Sequence, residues 1–161
     1  MKPATHRTAL RVQDLLGPRF EVLEFEESTR SAAEAAAAIG CTVAQIAKSL
    51  VFRSAISERP VIVITSGTNR VHESTIATHL GETIERANAD FVRSSTGFAI
   101  GGVPPIGHTG SVVIIIDEDL RRFNEIWAAG GTPNSVFLLT FDDLVQLTGG
   151  TVTRVAEMVS E

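Results

Sequence analysis

The sequence between residues 96 and 107 reads Thr96-Gly97-Phe98-Ala99-Ile100-Gly101-Gly102-Val103-Pro104-Pro105-Ile106-Gly107. It is too rich in glycine for a helix interior and too apolar for a flexible linker. Gly101 and Gly102 allow the backbone to pass where a side chain would collide. The two prolines fix φ and donate no N–H, so the chain that follows is stiff and extended. The stretch therefore predicts either a rigid turn between core elements or a loop that lines a pocket.

Two short apolar runs lie on either side of this stretch, at residues 60–65 and 112–116. Both are apolar on both faces, which is typical of central strands. Further strands are predicted at residues 20–25, 48–53, 83–87, 125–129, 135–140 and 151–156. Helices are predicted at residues 5–16, 31–39, 72–80, 89–93 and 141–147. Because strands and helices do not alternate strictly, we predict a mixed α/β (α+β) fold with a curved, barrel-like mixed sheet and flanking helices.

Length and composition indicate one globular domain over residues 1–161. Hydrophobic residues make up 43% and charged residues 20%, which supplies a core and argues against disorder. No apolar run is long enough to span a membrane, and the first residues lack a signal-peptide pattern. The single cysteine, Cys41, excludes an internal disulfide framework. We therefore expect a cytoplasmic protein that does not enter a membrane.

The net charge of −5 limits how the chain could bind nucleic acid. Proteins that hold nucleic acid mainly by neutralising phosphates are usually basic. An RNA partner would have to be held by a local patch, for which Lys48, Arg53, Arg59 and Arg70 are candidates, although scattered solvated charges are the simpler interpretation. This balance fits an enzyme that visits an RNA end better than a coating protein.

Several common catalytic patterns are absent from the sequence. None of the four histidines has a zinc-site spacing, and no nucleophile elbow, Walker loop or dinucleotide fingerprint is present. We interpret Cys41 as a small packing residue and His108 as an exposed loop residue. The histidines are His6, His72, His79 and His108.

The remaining candidates for a functional site are one lysine, Lys48, and two glycine turns. The first turn contains Gly101–Gly102, and the second contains Gly130–Gly131. Lys48 falls on the strand face that carries Leu50 and Phe52, so its side chain either extends past the strand end or lies inside a cavity. A lysine next to backbone N–H groups could bind an anion and a carbonyl. This arrangement does not by itself name a reaction.

Three segments resemble the YbaK/prolyl-tRNA synthetase-associated editing domain family, in order and in spacing. They are Ala47-Lys48-Ser49-Leu50-Val51-Phe52, residues 95–107, and Ala129-Gly130-Gly131-Thr132-Pro133-Asn134-Ser135-Val136-Phe137. The resemblance covers nearly the whole chain and agrees with the predicted fold.

The resemblance implies a trans-acting aminoacyl-tRNA deacylase. Such a protein hydrolyses the ester of a mischarged small amino acid (alanine, serine, threonine or cysteine) on a tRNA, typically tRNA(Pro). The family uses no metal, no cofactor and no covalent nucleophile. The implied partner is the acceptor end of the mischarged tRNA, and prolyl-tRNA synthetase is a candidate partner.

The resemblance also assigns residue roles. Lys48 is implied to position the terminal adenosine through its phosphate, and backbone groups of Gly101-Gly102-Val103-Pro104 to hold the aminoacyl ester. Our own hypothesis is that the N–H groups near Gly101 and Gly102 stabilise the developing oxyanion. The implied substrate-binding residues are Ser49, Thr96, Gly97, Val103, Pro104, Gly130, Gly131 and Asn134.

One departure leaves the amino acid open. Members that edit alanine often carry a histidine in the second turn, where this chain has Asn134, which cannot titrate near neutral pH. Two alternatives also stay open: a non-catalytic module that binds an RNA end or nucleotide, and a partner protein with a vestigial site. Retention of Lys48 together with the whole glycine–proline stretch favours the hydrolase.

Overall fold

The computed structural model describes residues 1–29 and 31–157. Within them, nine strands form one mixed sheet, flanked by five α-helices. The strands are β1 (Lys2–Pro3), β2 (Val22–Glu24), β3 (Ile46–Ser54), β4 (Pro60–Ser66), β5 (Ile84–Arg86), β6 (Val113–Asp117), β7 (Ile126–Ala129), β8 (Ser135–Leu139) and β9 (Thr151–Thr153). The helices are α1 (Arg7–Leu16), α2 (Ala32–Ile39), α3 (Glu73–Leu80), α4 (Ala89–Thr96) and α5 (Phe141–Thr148).

The strands run in the order β1-β2-β8-β7-β3-β4-β6-β9, and β5 pairs with β3 outside this path. β3–β4 is antiparallel, whereas β4–β6, β6–β9 and β3–β7 are parallel. The predicted mixed α/β fold with flanking helices is confirmed. The sheet is open, since β1 and β9 lie at its two ends.

The sequence located the helices and strands well, with small differences at their ends. α4 runs to Thr96, beyond the predicted end at residue 93, because Gly97 adopts the left-handed conformation only there and ends the helix (φ 84°). α1 starts at Arg7 because the His6 ring accepts a hydrogen bond from Thr8 N and caps the helix. The two-residue strand β1 was missed, because such a short segment has no hydrophobic period.

Three apolar clusters surround the sheet. The largest packs α1 and α5 against one face and includes Phe98 and Val103, so the glycine-rich stretch is anchored in the core. A second cluster holds α3 on the other face, and a third holds α2. No helix in the described part of the chain is long and apolar enough to cross a membrane.

β3 is where the sheet is interrupted. One of its edges pairs with β4 along residues 47–53. On the opposite edge, β7 pairs with residues 46–47 and β5 with residues 52–54. Residues 48–51 therefore have no strand partner on that edge among the described residues. This gap between β5 and β7 creates room for a cavity in the sheet.

Candidate functional site

A cavity of about 560 Å³ opens at the gap in the sheet. Its floor is formed by residues 46–52 of β3. Its walls come from α2, from β7 and from the glycine–proline loop, which we define as residues 97–109. The cavity thus brings together parts of all three segments that the resemblance singled out.

The cavity is electropositive, because its charged lining residues are Lys48 and Arg86. Neither side chain forms an ion pair or a hydrogen bond with any residue that the structure describes. No carboxylate, histidine or cysteine is among the lining residues that the structure describes. Two unpaired cations in a chain of net charge −5 favour an anionic ligand at this position.

Lys48 is the third residue of β3 and is half-buried. It is opposite Thr65 of β4, two residues from Leu50 on the same face, as the alternation of the strand predicts. Because β3 is long and pairs with β4 along residues 47–53, the backbone of Lys48 is held in place. Its ammonium group is therefore supplied to the cavity from a rigid element.

The glycine–proline loop faces the cavity through Ile100, Gly101 and Val103. Gly101 and Val103 are the two of these that belong to the predicted site. The N–H groups of these two residues have no partner in the described part of the chain. Gly102 does not line the cavity, and its N–H donates to Ala99 O over 3.0 Å. Gly101 and Val103 therefore bring backbone N–H groups without a described partner to the cavity wall, whereas the N–H of Gly102 is engaged within the loop.

Thr96 and Gly97 form the start of the loop and do not line the cavity. The Thr96 hydroxyl is fully buried, donates to Val92 O at 2.6 Å and accepts from Phe98 N at 3.1 Å. Pro104 is also buried and outside the lining. These three residues therefore support the shape of the loop from its core side, whereas Gly101 and Val103 lie on its cavity side.

The second glycine turn borders the cavity through residues near its glycines, not through the glycines themselves. Pro133 and Ser135 line it, whereas Gly130, Gly131 and Asn134 do not. The Asn134 amide donates to Phe25 O at 3.1 Å and so ties this turn to the end of β2.

Two buried side-chain oxygens in these motifs, Ser49 Oγ and Asn134 Oδ1, have no hydrogen-bond partner. Ser49 lines the cavity. A buried hydroxyl without a partner is costly, typically by about 1–3 kcal/mol. A bound ligand with a polar group at the β3 floor would satisfy Ser49.

Sequence reasoning missed several lining residues, above all Arg86, Trp127 and Ile100. Arg86 reaches the cavity because β5 pairs Arg86 with Phe52, and Trp127 because β7 pairs it with Ile46. These pairings are long-range and leave no local signal. The only available hint is that Trp127 is the single tryptophan in the chain.

The predicted cationic patch differs from the one observed. Arg53 pairs with Glu58 and Glu85, and Arg59 pairs with Glu82, so these charges are neutralised locally. None of the arginines named from the sequence lines the cavity. Arg86 joins Lys48 in the cavity lining because strand pairing, not sequence proximity, decides which cations share a cavity.

His108 was interpreted as an exposed loop residue, and this is wrong. Its side chain is half-buried, and Nε2 lies 2.7 Å from Pro104 O. The ring stands edge-on to Phe98, with centroids 6.3 Å apart. Burial lowers the pKa of His108 from its ordinary value of 6.5, and the hydrogen bond to Pro104 offsets this in part. The imidazole is therefore neutral at pH 7.

Cys41 is partly buried beside α2 and does not line the cavity. Burial raises the pKa of its thiol, which disfavours the nucleophilic thiolate. Among the described residues, no group of three or more histidine, cysteine, aspartate or glutamate side chains could hold a metal ion. The chemistry available at the cavity consists of two cations, backbone donors and hydroxyl groups.

Comparison with known proteins identifies the family of the chain. The profile of the aminoacyl-tRNA editing domain matches residues 26–147. The uncharacterised protein YwhH of Bacillus subtilis is 31% identical over 124 residues, which cover 77% of this chain and 78% of that protein. A crystal structure of a candidate trans-editing enzyme for prolyl tRNA synthetase is 41% identical, with a TM-score of 0.90, and covers 96% of this chain and 100% of that one.

The similarity extends to part of a synthetase. The proline–tRNA ligase of Limosilactobacillus fermentum is 33% identical over 92 residues. The match covers 55% of this chain but only 16% of the ligase. Because the family profile spans most of the chain and includes all three motifs around the cavity, the chain belongs to the aminoacyl-tRNA editing domain family.

Proposed function

We propose that the chain is a trans-acting aminoacyl-tRNA deacylase of the cytoplasm, which hydrolyses the ester of a small mischarged amino acid on tRNA(Pro). The observation that carries this proposal is the cavity in the β3 gap, where unpaired cations and free backbone donors meet. The similarity to part of a proline–tRNA ligase and to a candidate trans-editing enzyme supports tRNA(Pro) as the first tRNA to test.

The need for such an activity follows from the limits of binding. A synthetase pocket discriminates poorly against a smaller or isosteric amino acid, so a second site is required to remove the errors. Alanine, serine, threonine and cysteine are all close enough in size to proline to be charged by mistake. The substrate is accordingly one of these four amino acids, esterified to the terminal adenosine.

Lys48 and Arg86 bind the phosphates of the RNA end. Arg86 is paired with Phe52, four residues along β3 from Lys48, which corresponds to roughly 13 Å along the strand. The backbone positions that carry the two cations are therefore well separated along the cavity floor. This spacing is suited to an extended RNA end that carries more than one phosphate.

Water attacks the ester carbonyl carbon, and negative charge develops on the carbonyl oxygen. The unpaired N–H groups of Gly101 and Val103 are the donors available to stabilise it. Loss of one such donor typically costs about a hundredfold in rate or more. The bond between the carbonyl carbon and the ribose oxygen then breaks, the ribose oxygen takes a proton, and the free amino acid leaves.

No lining side chain is suited to act as a general base at neutral pH. The proton from the attacking water therefore passes to the substrate's own groups, such as its amino group or a ribose hydroxyl. Lys48 serves to position the RNA end, so that the ester lies beside Gly101.

A deacylation panel tests the proposal. Wild-type protein, Lys48→Ala and Arg59→Ala are incubated with tRNA(Pro) charged separately with each of the four amino acids. Because a hydrogen bond to a charged group contributes about 1.5–3 kcal/mol, Lys48→Ala should lower kcat/KM by about ten- to a hundredfold. Arg59 is ion-paired and outside the cavity, so Arg59→Ala should stay within about twofold of wild type.

The hydrolase proposal fails if no charged tRNA loses its amino acid faster than in buffer. Lys48 is not a site residue if Lys48→Ala matches wild type. The lack of a side-chain base at the cavity favours one alternative, a non-catalytic module that binds an RNA end. Trp127, the single tryptophan, lines the cavity, so its fluorescence reports binding directly. A fluorescence change without turnover would select that alternative.

A further inference from the structure

Segment 103–105 of the cavity wall is buried but makes few backbone hydrogen bonds. Pro104 and Pro105 have no N–H, and Val103 donates to no described residue. The segment 103–105 therefore cannot be held by donating its own hydrogen bonds. Its one hydrogen bond to the described part of the protein is the one that Pro104 O accepts from His108.

The His108 side chain is well suited to hold this segment. A carbonyl oxygen only accepts, so Nε2 carries the proton in the 2.7 Å contact with Pro104 O. The ring is restrained by its edge-on contact with Phe98, which is fully buried. Thr109 N, directly after the histidine, donates to Thr96 O at 3.1 Å and closes the loop. The donor is thus fixed relative to the core on both sides.

Pro104 directly follows Val103, which lines the cavity together with Gly101, and the N–H groups of both lining residues have no described partner. A shift of the Pro104 carbonyl must move these donors, because the intervening backbone is short and the prolines are stiff. Misplacement of an oxyanion donor by about 1 Å can cost on the order of a hundredfold in rate.

We propose that His108 is a positioning residue, which holds the Pro104 carbonyl and thereby fixes the Gly101 and Val103 donors at the cavity. It touches neither the cavity nor the substrate, and acts through the loop backbone. Its effect on rate rests on the proposed deacylase function, whereas its effect on the loop does not.

The test separates the donor from the ring. His108→Gln keeps an N–H donor and loses the ring, whereas His108→Phe keeps a ring against Phe98 and loses the donor. His79→Gln, at an exposed position on α3, is the control. For each variant, kcat and KM are measured on the charged tRNA that wild type hydrolyses fastest, and amide hydrogen exchange is followed in a peptide covering residues 98–107.

We expect His108→Phe to lower kcat by about ten- to a hundredfold, with a smaller change in KM, and to speed exchange of the loop amides. His108→Gln should stay within about threefold of wild type, and His79→Gln should match it. The proposal is overturned if loop exchange in His108→Phe equals that of wild type, or if His108→Gln is impaired as strongly as His108→Phe.

Three further outcomes have a defined consequence. If wild type deacylates no charged tRNA, the proposed function fails, and loop exchange alone decides the role of His108. If His108→Phe does not fold, as judged by circular dichroism, the smaller His108→Leu replaces it in the same comparison. A uniform rise in exchange throughout the chain, in place of one confined to residues 98–107, would show a general structural role and would also overturn the proposal.

Discussion

Two pairs of adjacent glycines, Gly101–Gly102 and Gly130–Gly131, look alike in sequence and differ in structure. A side chain at Gly101 would meet nothing within 4 Å, because this residue faces the cavity. At the other three positions, a Cβ would lie 2.6–2.8 Å from existing atoms. Only one of the four glycines therefore borders open space, and the other three permit close packing.

The difference shows how the two turns depend on each other. A Cβ at Gly102 would lie 2.6 Å from Thr132 C and 2.7 Å from Pro133 N, both in the backbone of the second turn. A Cβ at Gly131 would lie 2.8 Å from Val12 of α1. The second turn, held against α1, supports the first turn, and the first turn presents its free donors to the cavity.

The largest effect on stability is expected for Gly102→Ala. Neither Thr132 nor Pro133 can move a backbone atom away cheaply, so the two turns must separate. We expect the free energy of unfolding to fall by about 2–3 kcal/mol, which lowers Tm by roughly 4–12 °C. Calorimetry of Gly102→Ala and Gly101→Ala measures the difference.

Gly101→Ala is the matched control for this change. It introduces no collision, but its φ of 86° is unfavourable for alanine and should cost about 1 kcal/mol. Equal losses of Tm in the two variants would show that backbone conformation alone matters and that the turns do not support each other.

A smaller effect is expected for Gly130→Ala. Its Cβ would lie 2.6 Å from Val22 Cγ1, the end of a side chain that can adjust. We expect a loss of about 1–2 kcal/mol in chemical denaturation. Combining it with Val22→Ala removes the colliding methyl group, so the double variant should lose about 1 kcal/mol less than the sum of the two single losses. If the two single losses simply add in the double variant, the strain in Gly130→Ala does not come from its contact with Val22.

The fold could be read from the sequence to a large extent. Apolar runs and capping residues located the main strands and helices, because these signals are local. Ser31 caps α2, and Thr140 with Asp143 forms the predicted capping box of α5. The pairing of β5 and β7 with one edge of β3 depends on residues distant in the chain, and nothing local indicated the gap between them.

The site was predictable only in part for the same reason. Lys48 and Gly101 belong to motifs with a specific spacing, and both line the cavity. Arg86 and Trp127 reach it through long-range strand pairing, which no spacing rule reports. Gly102 was assigned a donor role from its position in the motif, whereas the structure engages its N–H with Ala99 O. The roles of these residues in binding and hydrolysis stay predictions until variants are assayed.

The smallest expected effect is a pH dependence of stability. It distinguishes the glycine–proline loop, which contains His108, from the second turn. Because burial keeps the pKa of His108 below its ordinary 6.5, the folded protein binds fewer protons here than the unfolded chain. The stability that neutral His108 contributes is complete above about pH 6.5 and is lost as the pH falls through the folded-state pKa. His108→Gln has no such group, so the Tm difference between wild type and this variant should shrink from pH 8 to pH 5.

Among the described residues, the three carboxylates with lowered pKa values, Glu24, Glu82 and Asp143, titrate below this range and are present in both proteins, so they cancel in the comparison. Gly130→Ala provides the control for the second turn, which contains no titrating residue: its Tm difference from wild type should stay constant over the same range. If the Tm difference for His108→Gln is also constant, protonation of the His108 imidazole carries no free-energy cost in the folded protein. Solvent would then reach the ring freely.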